Sequence, residues 1–249
     1  MLAAMATQDD PYYRPDLARA HHLGYGFHAD NCAPGILSLL APVQARGGLV
    51  LELGCGSGLL TRHLTDAGHR VIATDASPAM LDLARGYAPA ADIRPLTLPG
   101  DPLPAADAVV SVGHVLSYLP DAGAIAAALT AIARAVRPGG LFAIDLCDLA
   151  YGEQRCGEPP LGRVSDSWAV LAATSLPAPD RFVRDITIFT LGDGGCWRRD
   201  DERHENTLIN TTQVPGLLAA EGVDVTVGTA FGEERQPPGL VVLIGRGAA

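Results

Sequence analysis

Short apolar runs alternate with segments of helical periodicity along residues 30–150 of the chain. The apolar runs predict five strands, at residues 49–53, 69–77, 92–98, 106–116 and 141–146. The intervening segments predict helices at residues 33–45, 59–67, 78–88 and 122–136. Strands that alternate with helices imply right-handed crossovers and a mostly parallel sheet covered on both faces. The pattern therefore predicts a doubly wound, Rossmann-like α/β fold.

The pattern changes after residue 150, where a stretch rich in Gly, Pro and charged residues leads into three extended segments. These segments, 167–176, 181–191 and 196–209, have no helix between them and predict an inserted antiparallel flap. A helix at 212–222 and strands at 223–231 and 239–247 bring the main sheet to seven strands. We therefore expect an N-terminal helical lid (1–30), the Rossmann-like core (31–150), the antiparallel insertion as a substrate lid (151–210), and a last helix with two strands (211–249).

Composition and charge favour small-molecule chemistry. Hydrophobic residues make up 48% of the 249 residues and charged residues 18%, which is typical of a soluble protein with a full interior. There is no run of 18 apolar residues and no signal-peptide pattern, so we expect no membrane segment and a cytoplasmic location. The net charge of -10 and the lack of a basic cluster argue against a nucleic-acid partner. The sequence leaves a homodimer open.

The cysteines and the basic residues exclude some kinds of site. The five cysteines are scattered and form no C-x-x-C pair, so neither a disulfide framework nor a zinc site is expected. All 18 basic residues are arginine, which excludes a Schiff base or a lysine nucleophile.

A glycine-rich turn, LELGCGSGLL, follows the first predicted strand. Its glycines stand at every second position: Gly54, Gly56 and Gly58. Leu59 occupies the place of the third glycine in the dinucleotide pattern G-x-G-x-x-G. Glu52 would repel a phosphate at this turn, whereas Asp75, at the end of the second strand, suits the two hydroxyls of a ribose. The pair favours an adenosine with cationic character. The alternative is an NAD(P)-dependent oxidoreductase or a nucleotide-sugar enzyme, and Leu59 counts against it.

Four stretches, taken together, resemble the class I S-adenosylmethionine-dependent methyltransferases of small-molecule type. They are VLELGCGSG, VIATDASPAMLDLAR, ADAVVSVGHVLSYL and AIARAVRPGGLFAIDL, in the usual order and at the usual separations. The resemblance covers roughly residues 30–150. It implies S-adenosylmethionine as cofactor and transfer of its methyl group to an O, N or C nucleophile of a small acceptor. A protein of this family that binds the cofactor without transferring methyl, as a regulatory subunit, remains an alternative.

The resemblance also implies a set of cofactor-binding residues at the strand ends. The matching positions are Glu52, Gly54, Cys55 and Gly56 around the methionine part, Asp75 at the ribose, and Ala76 and Met80 near the adenine. Gly113 and His114 match the segment that faces the sulfonium and the acceptor. Many members have an Asp after strand three that binds the adenine amino group. Asp101 stands further along in this chain, so Thr97 and Leu98 are the expected substitutes.

The N-terminal segment PYYRPDLARAHHLGYGFHA resembles a version of the family in which a tyrosine- and histidine-bearing helix caps the cofactor, which adds Tyr13 to the cofactor-binding set. Three histidines are candidate bases at the strand-end pocket: His22, His114 and His204. A period of two along the last flap strand puts Asp200, Glu202, His204 and Asn206 on one face. So polar a face is either solvated or lines a polar pocket.

Two further expectations are negative. Asp145 and Asp148 could hold magnesium, as in catechol-type methyltransferases, but no acidic residue follows strand four, so we expect no metal. The segment SVGHVLSYL also lacks the [DN]-P-P-[YF] motif with which nucleic-acid methyltransferases hold a flipped base.

Overall fold

The computed structural model describes residues 12–247, so part of the expected N-terminal lid (1–11) and the last two residues lie outside it. Its strands are β1 (Leu49–Leu53), β2 (Arg70–Asp75), β3 (Asp92–Pro95), β4 (Ala106–Ser111), β5 (Val136–Cys147), β6 (Leu161–Val164), β7 (Trp168–Ala178), β8 (Arg181–Leu191), β9 (Trp197–Thr207), β10 (Val223–Gly228) and β11 (Leu240–Gly247). Its α-helices are α1 (Pro15–Gly24), α2 (Phe27–Ala45), α3 (Leu59–Asp66), α4 (Pro78–Tyr87), α5 (Ala122–Ala135), α6 (Leu149–Glu153) and α7 (Val214–Ala219).

The main sheet has seven strands in the order β10-β11-β5-β4-β1-β2-β3. Strands β3, β2, β1, β4 and β5 run parallel, and β11 pairs antiparallel with both β5 and β10. The predicted Rossmann-like, mostly parallel fold is therefore confirmed. The strand order reverses at β1, which has β2 on one side and β4 on the other, and such a switch point opens a crevice beyond the carboxyl ends of the strands.

Both faces of this sheet are buried because successive residues of a strand point to opposite sides. Leu51 and Phe142 belong to the core on the side of α5 and α7. Val50 and Ala143 belong to the core on the side of α2, α3 and α4. Burial of a Leu, Val or Phe side chain contributes about 1.5–3 kcal/mol each, so the two helical layers hold the strand ends in fixed positions.

The second sheet is the antiparallel flap, with the strand order β6-β7-β8-β9. Helix α1 packs on this flap, where Leu17 and Ala20 join a buried cluster with Trp168 and Ile186. A β-carbon at Gly24 would lie 2.5 Å from the Trp168 ring, so a glycine is needed for this close approach. The N-terminal helix and the flap thus share one small core, separate from the two cores of the main sheet.

Two of the predicted strand ends were wrong. Strand β4 ends at Ser111 rather than at residue 116, because Gly113 (φ 99°) and His114 (φ 50°) turn the chain out of the sheet. The residues after that turn form a short 3-10 helix, Val115–Tyr118. Strand β3 ends at Pro95 rather than at residue 98, and the Leu96 N–H makes a last hydrogen bond to the Asp75 carbonyl at 3.0 Å.

Other boundaries also differ from the sequence pattern. Strand β5 begins at Val136, which pairs with Ala106, rather than at residue 141. Strand β6 and helix α6 were not predicted, and the exposed β6 has no buried face to produce an alternating pattern. Helix α2 begins at Phe27, so it spans the expected boundary between residues 30 and 31. Within residues 12–247, no helix is long and apolar enough to cross a membrane.

Candidate functional site

A cavity of about 460 Å³ opens beyond the carboxyl ends of β1, β2 and β4, at the switch point of the sheet. Its volume is in the range of small-molecule sites. The residues in its wall include all but one of the predicted cofactor-binding set: Tyr13, Glu52, Gly54, Cys55, Gly56, Asp75, Ala76, Met80, Thr97, Leu98 and Gly113. The exception is His114. Residues from five separate loops and elements therefore meet around one space.

The glycine turn keeps the floor of this cavity open. Gly54 and Gly56 have φ values of 65° and 53°, in the left-handed region that favours glycine. A β-carbon at Gly54 would also lie 2.3 Å from the Val115 side chain, so this position has no room for a larger residue. The cysteine between them, Cys55, is held by its backbone N–H, which donates to the Thr74 carbonyl at 2.8 Å.

Glu52 brings a buried carboxyl group to the cavity wall. The Thr61 hydroxyl donates to its Oε2 at 2.7 Å, and the residue is 3% exposed. Burial raises the pKa of Glu52 to about 8, against the opposing effect of the Thr61 hydrogen bond. Near neutral pH this site therefore holds a proton that a nearby positive charge would release.

Asp75 is fixed by backbone donors on both sides. Its Oδ2 accepts from the Gly56 N–H and its Oδ1 from the Ser77 N–H, each at 2.8 Å. Burial raises the pKa of Asp75, and the backbone hydrogen bonds act in the opposite direction. A carboxylate offers about four acceptor sites, so this one keeps capacity for further donors from the cavity.

The far end of the cavity has an apolar lining. Met80 is buried at the start of α4, where its N–H donates to the capping Ser77 hydroxyl at 3.2 Å. Thr97 and Leu98 form the opposite wall. The Asp101 carboxylate accepts the Thr97 N–H at 2.7 Å and so fixes this loop. Asp101 itself is not part of the described cavity wall.

The N-terminal segment closes the cavity from above through Tyr13. The Ser77 hydroxyl donates to the Tyr13 carbonyl at 2.9 Å, and the Tyr13 N–H donates to Glu202 of the flap at 2.8 Å. One residue therefore joins the core sheet to β9. Its φ of 57° is unusual for a non-glycine residue.

The three predicted bases are not part of the cavity wall in the described chain. His22 lies outside it, with Nδ1 3.0 Å from the Ser57 hydroxyl and its ring against Tyr87. The ring of His114 stacks on Tyr118 with centroids 5.8 Å apart. Burial, and then the charge of Arg184, lower the pKa of His114 to about 3.

His204 is fully buried behind the wall, within a hydrogen-bonded chain. Its Nε2 lies 2.8 Å from Glu202 Oε2, and its Nδ1 lies 3.0 Å from the Tyr118 hydroxyl. Burial, followed by the charges of Arg184 and Arg14, lowers the pKa of His204 to about 2, so the ring is neutral. Since Glu202 can only accept when ionised, the network assigns the proton to Nε2, and Nδ1 accepts from Tyr118.

Glu202 is the last group of this hydrogen-bonded chain and anchors it. Its carboxylate accepts the N–H groups of Tyr13 and Arg14, each at 2.8 Å, besides the bond to His204. Burial raises the pKa of Glu202 to about 7, and the two backbone donors oppose that rise. The polar face predicted for β9 is therefore buried rather than solvated.

Two residues at the centre of this cluster were missed in the sequence. Tyr118 lines the cavity, because the chain leaves β4 early and the 3-10 helix carries it there. Arg184 donates from Nη2 to the Tyr118 hydroxyl at 2.6 Å and to Asn206 Oδ1 at 3.3 Å. A signal for Arg184 was present: it occupies an inward position of β8, between the buried Phe182 and Ile186.

Two further histidines, His21 and His28, do line the cavity. His28 Nε2 lies 3.0 Å from Asp145 Oδ2, and Asp145 also accepts the N–H groups of Gly113 and His114. Asp145 therefore fixes the turn after β4. The described residues contain no cluster of His, Cys, Asp and Glu with the spacing of a metal site.

Comparison with known proteins places these features in a family. A family model described as a methyltransferase domain matches residues 50–140. The malonyl-[acyl-carrier protein] O-methyltransferase of Pectobacterium atrosepticum is 31% identical over 207 residues, which are 82% of this chain and 73% of that protein. The glycine N-methyltransferase of Rattus norvegicus is 30% identical over 227 residues, covering 83% of this chain and 71% of that protein.

Solved structures agree on the fold. A sugar N-methyltransferase from Streptoalloteichus sp superposes with a TM-score of 0.77 at 20% identity, and the match covers 100% of both chains. A doubly wound sheet with a glycine turn, and an acidic residue after its second strand, is the architecture of a nucleoside-cofactor enzyme. The chain belongs to the class I S-adenosylmethionine-dependent methyltransferases, and its methyl donor is S-adenosylmethionine. The predicted family and cofactor are thus confirmed, and the oxidoreductase and non-catalytic alternatives are set aside.

Proposed function

We propose that this enzyme methylates a small molecule, with the cofactor in the cavity at the switch point and the acceptor next to Tyr118. The observation that carries the proposal is the Tyr118–His204–Glu202 chain, which ends at the cavity in a hydroxyl group. The relatives support a small or carrier-bound acceptor in general terms: one is named for malonyl-acyl-carrier protein and another for glycine.

The cavity residues fit the cofactor in charge and shape. The ionised Glu52 side chain suits the cationic methionine end, and the free acceptor capacity of Asp75 suits a ribose diol. The adenine would lie against Met80, Ala76 and the Thr97–Leu98 wall, which are open to the same space. Bound there, the cofactor supplies a methyl group that its sulfonium already activates. The chain must then orient the acceptor, exclude water and move a proton.

Tyr118 is the group that we place at the acceptor. An acceptor atom that takes up the methyl group would give up its proton to a group of this chain. Tyr118 Oη can accept that proton while its own proton moves to His204 Nδ1, over the observed 3.0 Å. His204 passes its Nε2 proton on to Glu202 over the observed 2.8 Å, so the imidazole ring stays neutral, as its low pKa requires. His204 and Glu202 are positioning residues in this scheme, because neither touches the cavity in the part of the chain described.

The other two predicted bases have different proposed parts. His114 packs its ring against Tyr118 and fixes the hydroxyl in place. His22, bonded to Ser57 beyond the cavity wall, supports the glycine turn from outside.

We propose further that residues 1–30 and 151–210 select the acceptor, because α1 and the flap share one core above the cavity. A net charge of -10 supports a cytoplasmic enzyme without a nucleic-acid substrate. A homodimer is supported by the free edge of the flap sheet, where Leu161 and Val164 of β6 are 66% and 76% exposed. Light scattering that finds a monomer at every concentration would refute the dimer.

The test of the proposed site uses one variant for binding of the cofactor and another for methyl transfer to the acceptor. Asp75→Ala should weaken calorimetric binding of S-adenosylhomocysteine by about 1 to 3 kcal/mol, since ribose hydrogen bonds are lost. Tyr118→Phe should leave that affinity within twofold and lower methyl transfer at least roughly 100-fold, the size of a general-base contribution. Transfer is followed with labelled cofactor on malonyl-acyl-carrier protein, glycine and an amino sugar. Undiminished transfer by Tyr118→Phe on an acceptor that the wild type methylates would refute the scheme, and stronger binding of NAD would refute the cofactor placement.

A further inference from the structure

Arg184 carries a positive charge into the polar cluster above the cavity without a counter-ion there. Its Nε is shielded from solvent and has no hydrogen-bond partner in the structure of residues 12–247. Its Nη2 bonds to two neutral oxygens, of Tyr118 and Asn206. A guanidinium stays protonated at any physiological pH, so a partly buried one with a shielded Nε and no anion beside it costs free energy. An anion that enters the cluster would remove that cost.

Two carboxylates that bond to residues of this cluster, Asp145 and Glu202, already have other partners. Asp145 accepts from the His28 ring and from two backbone N–H groups after β4. Glu202 accepts from His204 and from the backbone of the N-terminal segment. Neither of them forms an ion pair with Arg184 in the described chain. An anion that pairs with Arg184 would therefore come from outside the described residues 12–247.

Other buried polar atoms in this cluster also lack partners. They are Asn206 Nδ2, His21 Nδ1 and His114 Nδ1. The cluster is contiguous, because Arg184 bonds to Asn206 and Tyr118. The His114 ring stacks on Tyr118, and the His21 ring packs against Tyr13, which in turn contacts Tyr118. Buried polar groups in folded proteins are nearly always satisfied, so these unpaired polar atoms in one cluster with Arg184 indicate a ligand. Since Tyr118 and His21 line the cavity, the ligand has a route to this cluster.

We propose that Arg184, together with Asn206, binds a carboxylate group of the methyl acceptor. A carboxylate matches the planar guanidinium fork and carries one negative charge, which balances the single arginine of this cluster. A phosphate dianion would need a second cation, and the neighbouring Arg14 already pairs with Asp200. The inference rests on the proposed function, in which the acceptor lies next to Tyr118, and it names the class of acceptor as a carboxylic acid.

The experiment compares acetate with acetamide, a neutral probe of nearly the same shape, on protein saturated with S-adenosylhomocysteine. Thermal unfolding is measured at constant ionic strength in the wild type, Arg184→Gln and Arg184→Lys. We expect 200 mM acetate to raise the wild-type midpoint by about 2 °C or more relative to acetamide, and to have no such effect on Arg184→Gln. Arg184→Lys, which keeps the charge and loses the fork, should give a smaller shift than the wild type.

Arg203→Gln is the matched control, because Arg203 lies on the neighbouring strand and pairs with Asp185 and Glu205. It should respond to acetate as the wild type does. Equal acetate shifts in the wild type and Arg184→Gln would overturn the proposal. So would a loss of more than tenfold in S-adenosylhomocysteine affinity in Arg184→Gln, since Arg184 would then serve the carboxylate of the cofactor. Failure of the wild type to bind S-adenosylhomocysteine would instead refute the cofactor site itself.

Discussion

At the scale of single residues, the buried carboxyl group of Glu52 in the cavity wall makes the stability of the protein depend on pH. Burial raises its pKa to about 8 in the folded protein, whereas an unfolded glutamate titrates near its ordinary value. The Thr61 hydroxyl donates to Glu52 and opposes this rise in pKa, whereas the nearby charge of Asp75 adds to it. The folded state therefore binds more protons than the unfolded state between these two pKa values.

This difference in proton binding predicts that the folded protein becomes less stable as the pH rises. The stabilisation from the bound proton is complete below the unfolded pKa and is lost as the pH rises through about 8. Glu52→Gln keeps an oxygen that accepts from Thr61 and removes the titration. Without cofactor, the unfolding free energy of the wild type should fall relative to Glu52→Gln between pH 5 and pH 9, by at most about 1.4 kcal/mol per pH unit. Urea unfolding at a series of pH values measures this, and the exposed Glu158→Gln is the control. Parallel pH profiles of wild type and Glu52→Gln would contradict it.

The residues that line the cavity at the glycine turn could be predicted from the sequence because their signals are local. The glycine turn and Asp75 lie within one strand–helix–strand unit, so residues that are close in the sequence are also close in space. Arg184 and His204 are different, because they are opposed only through the register of β8 with β9. The residue pattern of one strand does not by itself determine how that strand is aligned with its neighbour. The acceptor side therefore escaped prediction, even though His204 itself was identified as a candidate.

At the scale of elements, the turn between β1 and α3 is shaped by the 3-10 helix that follows β4. The β-carbon missing from Gly54 would lie 2.3 Å from one Val115 methyl and 2.5 Å from the other. The end of β4 was predicted too late because the apolar run continues to residue 116, while the turn at Gly113 depends on a positive φ that apolar periodicity does not reveal. The loops that follow β1 and β4 therefore pack against each other, whereas the sequence pattern indicates only the loop after β1.

This contact predicts a coupled effect of two substitutions. Gly54→Ala should lower the unfolding free energy by about 2 to 5 kcal/mol, from left-handed backbone strain together with overpacking against Val115. Val115→Ala removes both methyl groups, so the double variant should be more stable than the sum of the single effects allows. Denaturant unfolding of the four proteins measures the coupling. Gly113→Ala is the control for strain alone, since no atom lies within 4 Å of its β-carbon position, and it should cost about 1 to 3 kcal/mol. Strictly additive losses would mean that the turn shifts to avoid the contact.

At the scale of the whole molecule, the backbone of Tyr13 and Arg14 forms one of the connections between the core and the flap. The Ser77 hydroxyl holds the Tyr13 carbonyl from the core, and Glu202 holds the Tyr13 and Arg14 N–H groups from β9. The same Tyr13 lines the cavity, while Glu202 does not. A ligand that packs against Tyr13 would therefore stabilise a connection whose other end lies outside the binding site.

Hydrogen exchange with and without S-adenosylhomocysteine tests this connection. We expect the cofactor product to slow exchange at the glycine turn, residues 53–58, and also at the N–H groups of Tyr13 and Arg14, because their exchange requires separation from Glu202. In Glu202→Gln the side chain has only one acceptor oxygen, so exchange near Tyr13 should stay fast with ligand bound, while protection of residues 53–58 is kept. Glu205→Gln, on the opposite face of β9, should behave as the wild type does. Protection confined to residues 53–58 in the wild type would show that the N-terminal segment and the flap move independently of the cofactor site.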